Sequence, residues 1–433
     1  MIPLKPVAAT APAGPSSAAH GPAQLHHLLA APHRLGFFAG LVMVVVASLW
    51  WAAVLALRHA GVAVPWQVSP TTAHALLMVY GFLPFFFVGF LFTAGPRWLM
   101  VAPVPARDLV GPVTTMAAGW LLTLVGVHAV QAVSVIGLAL VALGFALLSG
   151  RFALLVMQSR VADLDHARVV LAGCAMVVLG LLAAALGLAL GLDALPRAAA
   201  RFGLWGGIAV VFVAVAHRMV PFFTASALPM LDAWRPRALL AILVALVGVQ
   251  APWAAADALL PGTGGPLELA LRAVVELVGG AWLLWLAVRW GLMQSLRIRL
   301  LAMLHMGFVW LGVAFALAGV SHALMVASGG TLSLGLAPLH ALTMGYLGST
   351  LVAMATRVMC GHSGRTLVAD NLVWTMFWVL QAAVLCRLVA ALWLAAQVPF
   401  TLLAAHLWVA ALVAWALRYA RWLLQPRSDG QPG

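Results

Sequence analysis

The sequence predicts an all-α, polytopic membrane protein. Three observations carry that expectation. The 433 residues are 65% hydrophobic and only 8% charged, whereas a soluble domain carries about 25% charged residues. Apolar runs near twenty residues long recur along the whole chain, and about 20 residues at 1.5 Å rise span a bilayer core. Basic residues gather in alternate connectors, as topology demands of cytoplasmic loops. Backbone polar groups in lipid must be satisfied within the segment, so each run is expected to be a helix.

Residues 1–34 are rich in Pro, Ala and Ser and carry His20, His26, His27 and His33. They lack a charged stretch followed by an apolar core, so they are expected to form a disordered cytoplasmic tail rather than a cleavable signal. Twelve apolar segments follow, at about 36–58, 70–94, 110–129, 132–156, 168–192, 199–222, 238–258, 267–290, 300–327, 337–359, 371–397 and 399–421. Together they make one transmembrane domain over 35–423, with a short tail at 424–433. With the N-terminus inside, only Arg58, Arg197 and Arg201 fall in outer connectors. Arg272 and Arg387 fall inside segments, and every other basic residue is cytoplasmic. Both termini are therefore expected in the cytoplasm.

The net charge of +13 would suggest nucleic acid in a soluble protein, but topology accounts for the arginines and no nucleic-acid partner is expected. Cys174, Cys360 and Cys386 lie far apart and form no CxxC pair, so neither a disulfide framework nor a zinc site is expected. Pro-Gly-Thr-Gly-Gly-Pro at 261–266 reads as a turn-rich connector.

The second and tenth segments share a pattern. His74-Ala-Leu-Leu-Met-Val-Tyr80 returns as His340-Ala-Leu-Thr-Met-Gly-Tyr346. Both segments run from outside to inside, so the two histidines are expected at equal depth, about one turn below the outer surface. Met78 and Met344 follow at i+4 and share the histidine face. Ionisable residues inside a membrane helix usually face a cavity, a partner or a cofactor. Imidazole suits iron, copper and zinc, while thioether favours copper(I); haem iron is commonly held by His, or by His with Met. The arrangement favoured is one haem b between helices 2 and 10, with His74 and His340 as axial ligands. Gly81, Gly89, Gly345, Gly348 and Ser349 leave room for a flat macrocycle or for a neighbouring helix.

His128, His322 and His406 read as interhelical hydrogen bonds. Glu268, Arg272 and Glu276 form one stripe, read as an internally neutralised pin in preference to a proton route. Arg97, Arg218 and Arg357 end helices 2, 6 and 10, a spacing that suggests three four-helix units.

These motifs resemble the NnrS family of membrane proteins. The resemblance rests on His74 through Gly81, Gly89 through Ala94 with Trp98, His217-Arg-Met-Val-Pro-Phe-Phe-Thr224, His340 through Tyr346, and Arg357 with Gly361-His-Ser-Gly-Arg365. It implies a twelve-helix protein of the bacterial inner membrane, containing haem and copper and tied to the nitric-oxide response and to protection against nitrosative stress. The arrangement is also similar to the large subunit of haem–copper oxidases and nitric-oxide reductases, in which histidines on helices 2 and 10 hold a low-spin haem. Helix 7 here has no histidine and helix 10 has one, so a binuclear centre is not expected.

Three functions compete. The first is a haem and copper protein that binds or processes nitric oxide or iron–nitrosyl species, supplied by an electron donor where it transfers electrons. The second is a divergent nitric-oxide reductase, with His217, His305 and His362 as ligands of a second metal and Met219 or Cys360 as soft partners for copper. The third is a secondary transporter without a cofactor. Its usual repeat falls after six helices, whereas the pattern here joins helices eight apart.

Overall fold

The computed structural model describes residues 23–262 and 264–431. Most of the expected N-terminal tail, including His20, lies outside them. Among the described residues every regular element is helical. Eleven helices are long and apolar enough to cross a membrane. We label them α1 (Pro32–His59), α2 (Pro70–Leu99), α3 (Ala106–His128), α4 (Gln131–Gln158), α5 (Asp165–Ala189), α6 (Ala194–Ala227), α7 (Arg237–Leu259), α8 (Pro266–Arg289) and α9 (Arg299–Ala327). After α10 come α11 (Asn371–Leu392) and α12 (Leu394–Leu423). The rod α10, 337–362, lies between α9 and α11. It is built of Ala337–His340, a wider turn over Ala341–Gly348, and Ser349–His362. It is less apolar than the others because Thr343, Tyr346, Ser349, Thr350 and Thr356 lie along it. Most of it is buried inside the protein, so it need not match lipid.

Local chemistry explains where the rods start. Proline occupies the first turn of α1, α2, α8 and α10, where its missing N–H is no loss. Ser69 caps α2 by accepting from the Thr72 N–H at 3.3 Å, and Asp370 caps α11 by accepting from the Val373 N–H at 3.0 Å. The expected tail is partly wrong. Leu25–Leu29 forms a 3-10 turn, and α1 begins at Pro32 with His33 and Arg34 buried. Arg34 donates to the carbonyls of Leu423 (3.1 Å) and Gln425 (2.7 Å), while the Gln24 N–H donates to Leu424 O at 2.9 Å. The two described ends of the chain therefore meet at one end of the bundle, called here the termini end.

Helices α2 and α6 are the interior ones: their apolar windows are 83% and 72% buried, against 28% for α12. With α10 they form the centre, and the remaining helices wrap it through neighbouring hairpins such as α3–α4, α8–α9 and α11–α12. At the termini end Arg218 of α6 stacks on Trp98 of α2, and Arg357 of α10 stacks on Phe223 of α6 (4.7 and 3.9 Å). The arginines that close helices 6 and 10 thus tie these three together, while Arg97 of helix 2 makes neither stack.

Much of the polar content of the outer helices is spent on one another. On α8, Arg272 bonds Glu268 of its own helix and Asp257 of α7 (2.8 Å to Asp257). Glu276 does not pair with Arg272. It bonds the Nδ1 of His322 on α9 at 2.6 Å. The neutralised stripe is therefore extended across three helices. His322 and His128 do make interhelical bonds: Trp50 Nε1–H donates to His128 Nε2 at 3.0 Å. His406 does not. It is exposed, and its Nδ1–H donates to Leu402 O of its own helix at 2.7 Å.

A cavity with two histidines and three arginines

All three central helices are irregular at the level where the histidines sit. α2 breaks at Gly81–Phe82 and restarts at Leu83 with Pro84 in its first turn. α6 carries a π-helical turn at Gly203–Ala209, and α10 carries one at Ala341–Gly348, starting right after His340. Such wide turns are rare and occur often at functional sites. Proline explains the restart of α2; the widened turns of α6 and α10 shift the register of the side chains that follow.

Between α1, α2, α6, α10, α11 and α12 lies a cavity of about 1540 Å³ of free space, counted with the open space at its edge. Counted as room for the centres of water-sized spheres it is about 240 Å³, just below the roughly 300–1,000 Å³ of small-molecule sites, and its open edge adds to that. α2 contributes His74 and Met78; α10 contributes His340 and Met344. The repeated His and Met of the two motifs therefore line one space. Trp51 and Trp408 add apolar walls, and Arg197 and Arg201 of α6 and Arg387 of α11 add charge. No Asp or Glu lines it.

The histidine nitrogens are uncommitted. His340 Nδ1 lies 2.9 Å from Leu336 O. A carbonyl can only accept, so Nδ1 carries the proton and Nε2 keeps a lone pair with no protein partner among the described residues. His74 stacks on Trp51 (ring centroids 3.9 Å apart, 22° between planes), and its buried Nδ1 has no partner among the described residues. A buried polar atom left unpaired costs about 1–3 kcal/mol, so a ligand that engaged this ring would recover a standing loss. The arginines are also unmatched. None of the three pairs with a carboxylate among the described residues, and Arg387 Nη1 is buried without an acceptor.

The small residues divide. A Cβ at Gly345 would press on Trp310 of α9, and one at Gly89 on Phe37 of α1, so these two serve helix contact rather than ligand space. Gly348 faces Trp408 at the cavity edge. Of the two repeated tyrosines, Tyr80 donates to Ala199 O at 2.6 Å and so anchors the first turns of α6 to α2. Tyr346 is buried among Phe212 and Phe308.

The histidines expected to form a second metal site are dispersed. His217 accepts from His166 Nε2–H of α5 at 2.9 Å and donates to Pro236 O at 3.3 Å. His305 Nε2–H donates to Thr224 Oγ1 of α6 at 2.9 Å, since the Thr224 hydroxyl hydrogen goes to Val220 O. His362 packs on His33 of α1, with ring centroids 4.5 Å apart. Each serves a different helix contact. Nowhere among the described residues do three His, Cys, Asp or Glu side chains converge as a metal site would require. The residues as arranged do not fit the copper centre expected from them.

Sequence reasoning missed the three arginines. Arg197 and Arg201 read as outer-loop charge, and Arg387 was left without a role. One signal was available: no Asp or Glu occurs between Asp370 and Asp429, so Arg387 sits in an apolar segment with no acid near it in sequence.

A second, apolar chamber of about 70 Å³ lies among α1, α2, α6 and α10, walled by Phe86, Phe87, Phe212 and Met354. Leu351 lines both spaces.

The family model for NnrS protein matches residues 27–427 of this chain, nearly its whole length. A search of curated proteins finds no match.

Proposed function

The chain belongs to the NnrS family, and from that premise we propose that it is a haem-containing protein of the bacterial inner membrane that acts in the nitric-oxide response. His74 and His340 are the residues to hold the iron, with Met78 and Met344 beside them. One observation carries this reading: two histidines eight helices apart bring uncommitted ring nitrogens to the same largely apolar cavity. Bound there, haem would supply reversible electron storage and, where one imidazole gives way, a place for nitric oxide to bind.

The protein's own residues do the rest. The Leu336 carbonyl orients the His340 ring and keeps its Nε2 free to coordinate, the usual second contact of a metal-bound histidine. Trp51 holds the His74 ring flat. The apolar chamber that shares Leu351 with this cavity has a lining suited to a small neutral gas. Even crossing number is part of the same reading. The meeting of the Gln24 and Leu424 backbones at one end of the bundle supports an even count, with α10 completing twelve spans, and the arginine-rich connectors support a cytoplasmic side for that end.

A nitric-oxide reductase would need a second metal close to the haem. The dispersed His217, His305 and His362 give that reading no support, so it is not carried further. The test is the visible spectrum and iron content of the purified protein. Histidine-ligated haem is expected, and His74→Ala and His340→Ala are each expected to bleach or shift it. An unchanged spectrum in both variants, or purified protein with no iron, would remove the assignment and revive a cofactor-free transporter.

A further inference from the structure

We propose that Arg197, Arg201 and Arg387 form a cradle for the two carboxylates of the macrocycle, so that the cavity selects a dicarboxylic porphyrin and fixes its orientation. The inference rests on reading the cavity as a haem site. Its own warrant is charge. Guanidinium stays protonated at any accessible pH, so the cavity carries three full positive charges. A buried cation is strongly unfavourable without a counter-ion. Two arginines buried elsewhere have acceptors in the protein: Arg272 bonds two carboxylates, and Arg34 bonds the carbonyls of Leu423 and Gln425. Here no Asp or Glu lines the space, and Arg387 Nη1 is buried with no acceptor. The missing anion must arrive with the ligand. A neutral ligand would leave Arg387 Nη1 without an acceptor and the half-buried Arg197 and Arg201 without a carboxylate, and a single small anion would satisfy one of the three.

The geometry suits two carboxylates. Arg197 and Arg201 lie four residues apart in the first turns of α6 and so project from one face. Arg387 comes from α11. A planar guanidinium donates two parallel hydrogen bonds to a carboxylate. The Tyr80 hydroxyl fixes the α6 arginines relative to the helix that bears His74, because its acceptor, the Ala199 carbonyl, lies between Arg197 and Arg201 in sequence. Most of the remaining lining, including Leu204, Leu339 and Trp408, is apolar and suits the rest of a porphyrin face.

The test uses full-length protein from haem-depleted cells in lipid nanodiscs, with empty discs subtracted. It is titrated with protoporphyrin IX and with its dimethyl ester, read by porphyrin fluorescence, and with the iron forms of both, read by absorbance. Wild type is expected to prefer each diacid over its diester. Arg197→Gln, Arg201→Gln and Arg387→Gln are each expected to weaken diacid binding roughly tenfold or more and to leave diester binding nearly unchanged; Arg387→Lys should restore part of the loss. His74→Ala with His340→Ala should abolish the iron-dependent band shift yet retain the diacid preference of the metal-free porphyrin. Equal affinity of wild type for diacid and diester, or equal losses for both in the arginine variants, would overturn the cradle while a histidine-dependent haem spectrum still stood. If wild type took up none of the four, the haem reading itself would fail and the cradle with it.

Discussion

Two regions of the bundle use the same side chains in opposite ways. On the α7–α9 wall, Arg272 is bonded by Glu268 and Asp257, and His322 is bonded by Glu276. In the cavity between α2, α6 and α10, Arg197, Arg201 and Arg387 have no carboxylate and His74 and His340 keep free ring nitrogens. Both regions lie toward the end of the bundle away from the chain termini. Burial alone therefore does not separate a structural histidine or arginine from one that meets a ligand. What separates them is whether the protein has supplied the partner. The paired wall is closed to further chemistry, whereas the cavity is left with lone pairs and charges to satisfy.

The largest break in this comparison comes from the histidines. His340→Ala is expected to remove most of the haem from the purified protein, whereas His322→Ala should leave the haem content unchanged; absorbance normalised to protein reads both. Retention of haem in the first, or its loss in the second, would erase the distinction. The same His322→Ala should act on stability instead. It strips the partner from Glu276, which is 1% exposed, and removing one member of a buried pair costs about 3 kcal/mol or more. Thermal unfolding in detergent should show a clear loss, and an unchanged midpoint would mean that the Glu276–His322 bond is not holding α8 to α9.

How much of this was legible in the sequence follows the same line. The helical segments were legible because lipid imposes an apolar length. The shared cavity of His74, Met78, His340 and Met344 was legible because a pattern of five identities returned eight helices later. What stayed hidden was partnership. Helix 6 was expected from 199, but α6 begins at Ala194. Its first turns, Ala-Leu-Pro-Arg-Ala-Ala-Ala-Arg, touch the protein interior and need not be apolar, so hydropathy passed over them and assigned their arginines to a loop. Gly345 looked like space for a ligand, yet Trp310 fills it. His217, His305 and His362 looked like one metal set because they share a membrane face. Their actual neighbours, His166, Thr224 and His33, come from α5, α6 and α1, and no spacing rule on one chain reveals that.

A pair of arginine replacements sharpens the contrast in the protein without ligand. Arg272→Met should destabilise, because it leaves Glu268 and Asp257 without their shared cation and unties α7 from α8. Arg387→Met should leave the ligand-free protein as stable or make it more so, because it removes a charge that no carboxylate among the described residues offsets. Melting of the two variants before any porphyrin is added reads the difference. A comparable loss in both would mean that Arg387 has a structural partner after all.

The smallest effect is expected at the water boundary, where pairing is weakly rewarded. Asp370 caps α11 and accepts from Arg418 at 2.5 Å. Partial burial opposes its ionisation, but the Val373 N–H and the Arg418 guanidinium outweigh that and hold its carboxyl below the ordinary value. A carboxyl depressed in the folded state adds stability above its unfolded pKa, near 4, and loses it as pH falls through the folded value. Wild type should therefore melt slightly earlier as pH drops below about 4, and Asp370→Asn should flatten that part of the slope while still capping the helix. The side chain is 50% exposed, so solvent screens the pair and the change should be small beside that of His322→Ala. An equal slope in the variant would show that acid lability arises at the other carboxylates, with the α8 wall the first place to look.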